Sequence, residues 1–108
     1  MKVNKQHSLF LQLLKTSRPK ERKLLLSGAE NDIIKILSEI IYNLLHGNVP
    51  LSSDKIRQLR KYKQTLHSLS KRTVSLHQKR ILLQQRGSGA FFPLLLPVIS
   101  SVLGSLTS

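Results

Sequence analysis

The sequence predicts an all-α fold: a small, basic bundle of three to four amphipathic helices followed by a hydrophobic C-terminal tail. Three observations carry this. Apolar residues recur at helical spacing along most of the chain, with no period-two alternation and no internal repeat. Residues that start and stop helices bracket those stripes. The formal net charge of +13 is spread over the helical part, while residues 87–108 carry no charged side chain at all.

Taken in order, the first helix is expected over about His7 to Thr16, with Leu9, Phe10, Leu13 and Leu14 as its apolar stripe. Pro19 suits the first turn of a short second piece that runs through Leu26 and ends at Ser27 and Gly28. The strongest helix spans roughly Ala29 to His46. Glu30 and Asp32 lie in its first turn, where acids complement the helix dipole. Ile33, Ile34, Ile36, Leu37, Ile40, Ile41, Leu44 and Leu45 give it a wide apolar face, and Gly47 follows as a C-terminal cap. That face reads as the centre of a core, with self-association as the competing use.

Asn48 to Leu51, with Pro50, form a turn. A third helix then runs from a cap at Ser52 or Ser53 to about Leu69, with Ile56, Leu59, Tyr62, Leu66 and Leu69 along one side. Ser70 caps a fourth, from Lys71 to about Arg86, whose weaker stripe is Val74, His77, Ile81 and Leu82. The expected organisation is a basic N-terminal helical arm (1–28), a basic helical body (29–86), a Gly-Ser hinge (87–89) and a hydrophobic tail (90–108).

Composition excludes much. There is no cysteine, hence no disulfide and no thiolate chemistry. The N-terminal apolar stretch is short, is interrupted by Gln12 and runs into Lys15 and Arg18, so it does not read as a secretory signal. His7, His46, His67 and His77 fall in different helices at no metal-ligand spacing. The acids read as helix-start and surface residues, not as an acid and base pair. No Gly-rich phosphate loop is present. The reading is therefore a protein that is not an enzyme, with no metal and no cofactor.

What remains is charge. Eighteen Lys and Arg stand against five Asp and Glu, which implies a polyanionic partner: nucleic acid, an anionic membrane surface or an acidic protein. The densest run is Lys55, Arg57, Arg60, Lys61, Lys63, Lys71, Arg72, Lys79, Arg80 and Arg86. Such residues neutralise phosphates and release condensed counterions, a drive that is independent of sequence. With Tyr42 and Tyr62 as the only tyrosines, stacking on single strands is poorly supported, and duplex contact is favoured over a merely solvated helix face.

The tail opens with Ala90-Phe91-Phe92-Pro93-Leu94-Leu95-Leu96-Pro97-Val98-Ile99. It sits at the lower edge of a membrane span in length, and two prolines work against a straight helix. Its apolar residues Phe91, Phe92, Leu94, Leu95, Leu96, Val98 and Ile99 are expected to dock in a protein groove, to enter a membrane interface, or to be removed.

Gln85-Arg86-Gly87-Ser88-Gly89 followed by this Pro-Leu-Leu-Leu-Pro segment resembles the C-terminal part of the adenovirus core protein X precursor, the Mu peptide precursor, and its relatives in polinton- and adintovirus-like elements. The resemblance covers roughly residues 85–106. It implies a virion protein that condenses double-stranded DNA, present in the host nucleus during assembly, with capsid or other virion proteins as partners. It also implies processing by a viral cysteine protease between Ser88 and Gly89, against the alternative of an ordinary Gly-Ser linker. The body departs from that family, whose peptide is dominated by Arg and has little apolar patterning. A folded basic module is therefore expected here. The competing reading is a membrane-active cationic protein that binds or disrupts anionic bilayers.

Overall fold

A computed structural model describes residues 4–47, 51–87, 92 and 94–100, with only the backbone described for 86 and 87. Every regular element among them is helical. The order is α1 (Lys5–Thr16), α2 (Pro19–Gly28), α3 (Asn31–Leu45), α4 (Ser53–Arg60), α5 (Lys63–Ser70) and α6 (Leu76–Gly87), and residues 94–100 are helical as well. The all-α class is as expected, but the chain is cut into more and shorter helices than three to four.

Local chemistry sets most of the boundaries. Asn4 Oδ1 accepts the backbone N–H of His7 at 2.8 Å and starts α1. Pro19 opens α2 with no side-chain cap, its fixed φ being already helical. Asp32 lies in the first turn of α3. Beyond the other end of α3, Gly47 takes φ +72 and its N–H bonds back to Leu44 O at 3.2 Å. A Cβ at Gly47 would meet no atom, so the cost of one is purely the left-handed backbone. Gly47→Ala is accordingly expected to destabilise the fold by about 1 kcal/mol, read as a drop of several degrees in the thermal midpoint. An unchanged midpoint would mean that Gly47 does not cap α3.

α3 is the axis of the core. Its Ile33, Ile34, Ile36, Leu37, Ile40 and Ile41 are buried, so the wide apolar face is used within the chain. Around it pack Leu11 and Leu14 from α1, Leu26 from α2, Leu59 from α4, Leu66 and Leu69 from α5, and Leu83 from α6, all in one cluster. The basic arm is thus part of the same core as the body. The Cα radius of gyration is 12.7 Å, against about 13 Å for a folded domain of this length. The chain is a collapsed module, not an extended polycation.

Four expectations are corrected. On α1 the buried residues are Leu11 and Leu14, while Leu9 and Leu13 are exposed. Apolar residues crowd this segment, so several faces fit a helix equally and packing against α3 selects one. The expected third helix is broken at Lys61 and Tyr62, where Tyr62 N–H bonds to Leu59 O at 2.9 Å. No Gly or Pro marks the break. Leu59 before it and Leu66 and Leu69 after it lie in one core, while Ile56 is exposed.

The last expected helix begins later and turns differently. Ser70 completes α5, its hydroxyl donating to His67 O at 2.9 Å. Ser75 supplies the cap of α6 instead, accepting the Gln78 N–H at 3.1 Å. From that start, Lys79 and Leu83 face inward, and His77 and Ile81 are exposed.

The fourth correction concerns the tail. Phe92, Leu95, Val98 and Ile99 are buried members of the main core, and Leu94 and Leu96 pack partly buried against it. Apolar area removed from water stabilises at roughly 25 cal/mol per Å², and a small helical body with few large side chains gains much by folding such a segment in. These side chains fill the interior of the molecule and are not a free docking surface. Phe91, Ser88 and Gly89 lie outside the described residues. No helix among the described residues is long and apolar enough to cross a membrane.

Candidate nucleic-acid interface

The inward residues of α4 and α5 fix where their bases point. With Leu59, Leu66 and Leu69 in the core, Arg57, Arg60, Lys61 and Lys63 are exposed, and Lys55 is partly so. The turn after α5 adds exposed Lys71 and Arg72. The single acid in this stretch, Asp54, sits 4.0 Å from Arg57 with both side chains open to water. A pair of that kind is worth little and leaves the guanidinium available. Six exposed bases fall within sixteen consecutive positions, 57–72, and make this stretch, the strip, strongly positive.

Two expected members of the set hold the fold together instead. Lys79 is 5% exposed. Its Nζ donates to Ser38 Oγ at 2.7 Å, and that hydroxyl donates onward to Leu69 O at 2.6 Å, tying α6 to α3 and α5. Burial pushes the Lys79 ammonium below its ordinary pKa. Arg80 donates from Nη1 to Leu26 O at 2.9 Å and from Nη2 to Asn31 Oδ1 at 3.0 Å. It closes the carboxyl end of α2, where a cation is favoured by the dipole, and clamps it to the start of α3. Both side chains are thus engaged within the fold, unlike the six exposed bases. The Arg86 side chain lies outside the described residues.

Arg22 is a third base whose charge suggests a surface position that it does not take. It is buried, donates from Nη2 to Ser17 O at 3.3 Å, and lays its guanidinium over the Phe92 ring, 4.8 Å from the centroid. Such a stacked cation–π contact is stronger when desolvated. Burial lowers its pKa as well. By contrast, Lys15, Arg18, Lys20 and Lys23 are exposed. Their charge is plain in the sequence, but their place on the surface follows only from Arg22 and Leu26 facing inward.

One cluster is invisible in the sequence because its members come from distant positions. His7, Glu30 and Asp32 bring one ligand atom each to within 4.8 Å of one another, with His7 Nε2 3.4 Å from Glu30 Oε2. These are donors a divalent cation accepts. Both carboxylates also sit at the amino end of α3, where they complement its dipole without any ion.

No protein-family model, curated protein or solved structure matches the chain.

Proposed function

We propose that this protein is a DNA-binding virion core protein of an adenovirus-like virus or mobile element, which grips duplex DNA non-specifically through exposed Lys and Arg. The observation that carries the reading is the strip formed by Arg57, Arg60, Lys61, Lys63, Lys71 and Arg72, exposed over one short stretch and opposed by a single acid. Its charges sit on two short helices and the turns that follow them, and the apolar sides of those helices are anchored in the core, so the charges are presented without further folding. Phosphate neutralisation of this kind positions a protein on a duplex but reads no bases. The C-terminal resemblance supports the virion setting, in the host nucleus during assembly, with capsid or other virion proteins as partners.

The membrane-active alternative is weakened by the burial of Phe92, Leu95, Val98 and Ile99, the side chains it needs at a bilayer surface. The direct test is a gel-shift titration of the full chain with duplexes of unrelated sequence at low salt. Comparable retardation of all of them is expected. Failure to shift any duplex, while the chain disrupts anionic vesicles, would transfer the function to the membrane.

A further inference from the structure

A second positive feature shares Arg72 with the α4–α5 strip but draws its other bases from α3 and α6. A cleft of about 670 Å³ opens between α3, the turn after α5 and the start of α6. Lys35 and Glu39 line it from α3, Arg72 from the turn, and Lys79 from α6. Three bases thus face one acid. The buried base matters most. Lys79 holds the hydroxyl of Ser38 but is paired with no carboxylate among the described residues. A buried ammonium without a counter-charge is costly and is relieved when an anion arrives. The start of α6 adds to this, because Ser75 and Leu76 line the same cleft and a helix amino end favours negative charge.

We propose that this cleft binds a nucleoside phosphate. The phosphate meets Lys79, Arg72 and Lys35, and the remaining space, lined by Tyr42, Val74 and Leu76, takes the nucleoside. A lone phosphate would leave most of the volume empty, whereas the size is within the range of small-molecule sites, about 300–1,000 Å³. Tyr42 is 47% exposed, and its ring is held by stacking on His46, with ring centroids 4.0 Å apart. A fixed, half-open aromatic face is suited to a base. This site shares Arg72 with the strip but does not rest on the duplex reading, since Lys35 and Lys79 are outside the strip. Its ligand is either a free nucleotide or the 5′-terminal nucleotide of a strand, which share this chemistry.

The test is a calorimetric titration of the full chain with adenosine monophosphate, alongside the Lys35→Gln, Lys79→Met and Lys61→Gln variants. Saturable one-site binding is expected, weakened about tenfold by each of the first two changes, as befits loss of a charge-assisted contact, and unaltered by Lys61→Gln, which is outside the cleft. Short single strands with and without a 5′-phosphate separate the two sources. Preference for the phosphorylated strand over the free nucleotide assigns a strand end, and the reverse assigns the free nucleotide. If Lys79→Met does not fold, the Lys35→Gln variant decides, because Lys35 is exposed and its loss leaves the core intact. Absence of saturable binding, or equal weakening by Lys61→Gln, overturns the site. A chain that still shifts duplex DNA while failing here loses this cleft alone.

Discussion

Phe92→Ala is expected to destabilise the protein by about 3–5 kcal/mol, the range for removing a fully buried aromatic ring. Phe92 is buried in the main cluster with Leu95, Val98 and Ile99, and the buried Arg22 guanidinium lies 4.8 Å from the centre of its ring. Truncation therefore opens a cavity and also strips an aromatic face from a desolvated cation. Small domains hold only about 5–15 kcal/mol in all, so the variant should unfold at far lower urea. Leu24→Ala is the matched control, because Leu24 is 73% exposed. It should change stability by no more than about 0.5 kcal/mol. Equal midpoints for the two variants would mean that the C-terminal segment is not part of the core. The same logic applies to deletion of residues 90–108, which should cost the body its cooperative unfolding transition. Processing between Ser88 and Gly89 would then act on the folded state as well as on the tail.

Replacing Arg57, Arg60, Lys61, Lys63, Lys71 and Arg72 together by Gln is expected to weaken duplex binding at low salt by about a thousandfold. Each exposed ion pair contributes up to about 1 kcal/mol, and six of them at somewhat less than that reach about three decades in affinity. All six side chains are exposed, so the fold should survive and circular dichroism should be unchanged. Lys79→Gln and Arg80→Gln should behave in the opposite way. They break the bonds to Ser38, Leu26 and Asn31 and should lower stability while leaving duplex affinity nearly intact. If the two structural bases mattered to DNA as much as the six exposed ones, the strip would not be the interface.

How much of the fold and the strip is legible in the sequence differs from element to element. α3 is, because eight apolar residues at helical spacing, acids at one end and Gly47 at the other all point the same way. The caps at Ser52 and Gly47 are legible for the same local reason. The inward face of α1 is not, since Leu9, Phe10, Leu11, Leu13 and Leu14 leave several faces equally apolar and only packing against α3 decides. The break at Tyr62 carries no Gly or Pro, so no local signal in the sequence marks it. Charge alone locates the strip, but it also admits Lys79 and Arg80, which do not belong there. A Lys on a buried face signals nothing until its partner, 41 positions away, is known. The uncharged C-terminal run suggests a surface tail, although a run without charges is as well suited to a core, and the core is where Phe92, Leu95, Val98 and Ile99 lie. His7, Glu30 and Asp32 meet only through the packing of α1 near the start of α3.

Salt dependence of duplex affinity is the most direct test of a phosphate-gripping strip. Equilibrium titration of a duplex with the full chain, repeated from about 50 mM to 300 mM salt, should give a straight line of log affinity against log salt with a slope of about −5 to −6, that is, about 0.9 for each phosphate neutralised by the six exposed bases. Duplexes of different sequence should fall on the same line. The six-fold Gln variant should flatten it. Affinity that is indifferent to salt, or no binding at the lowest salt, would contradict duplex binding through the strip.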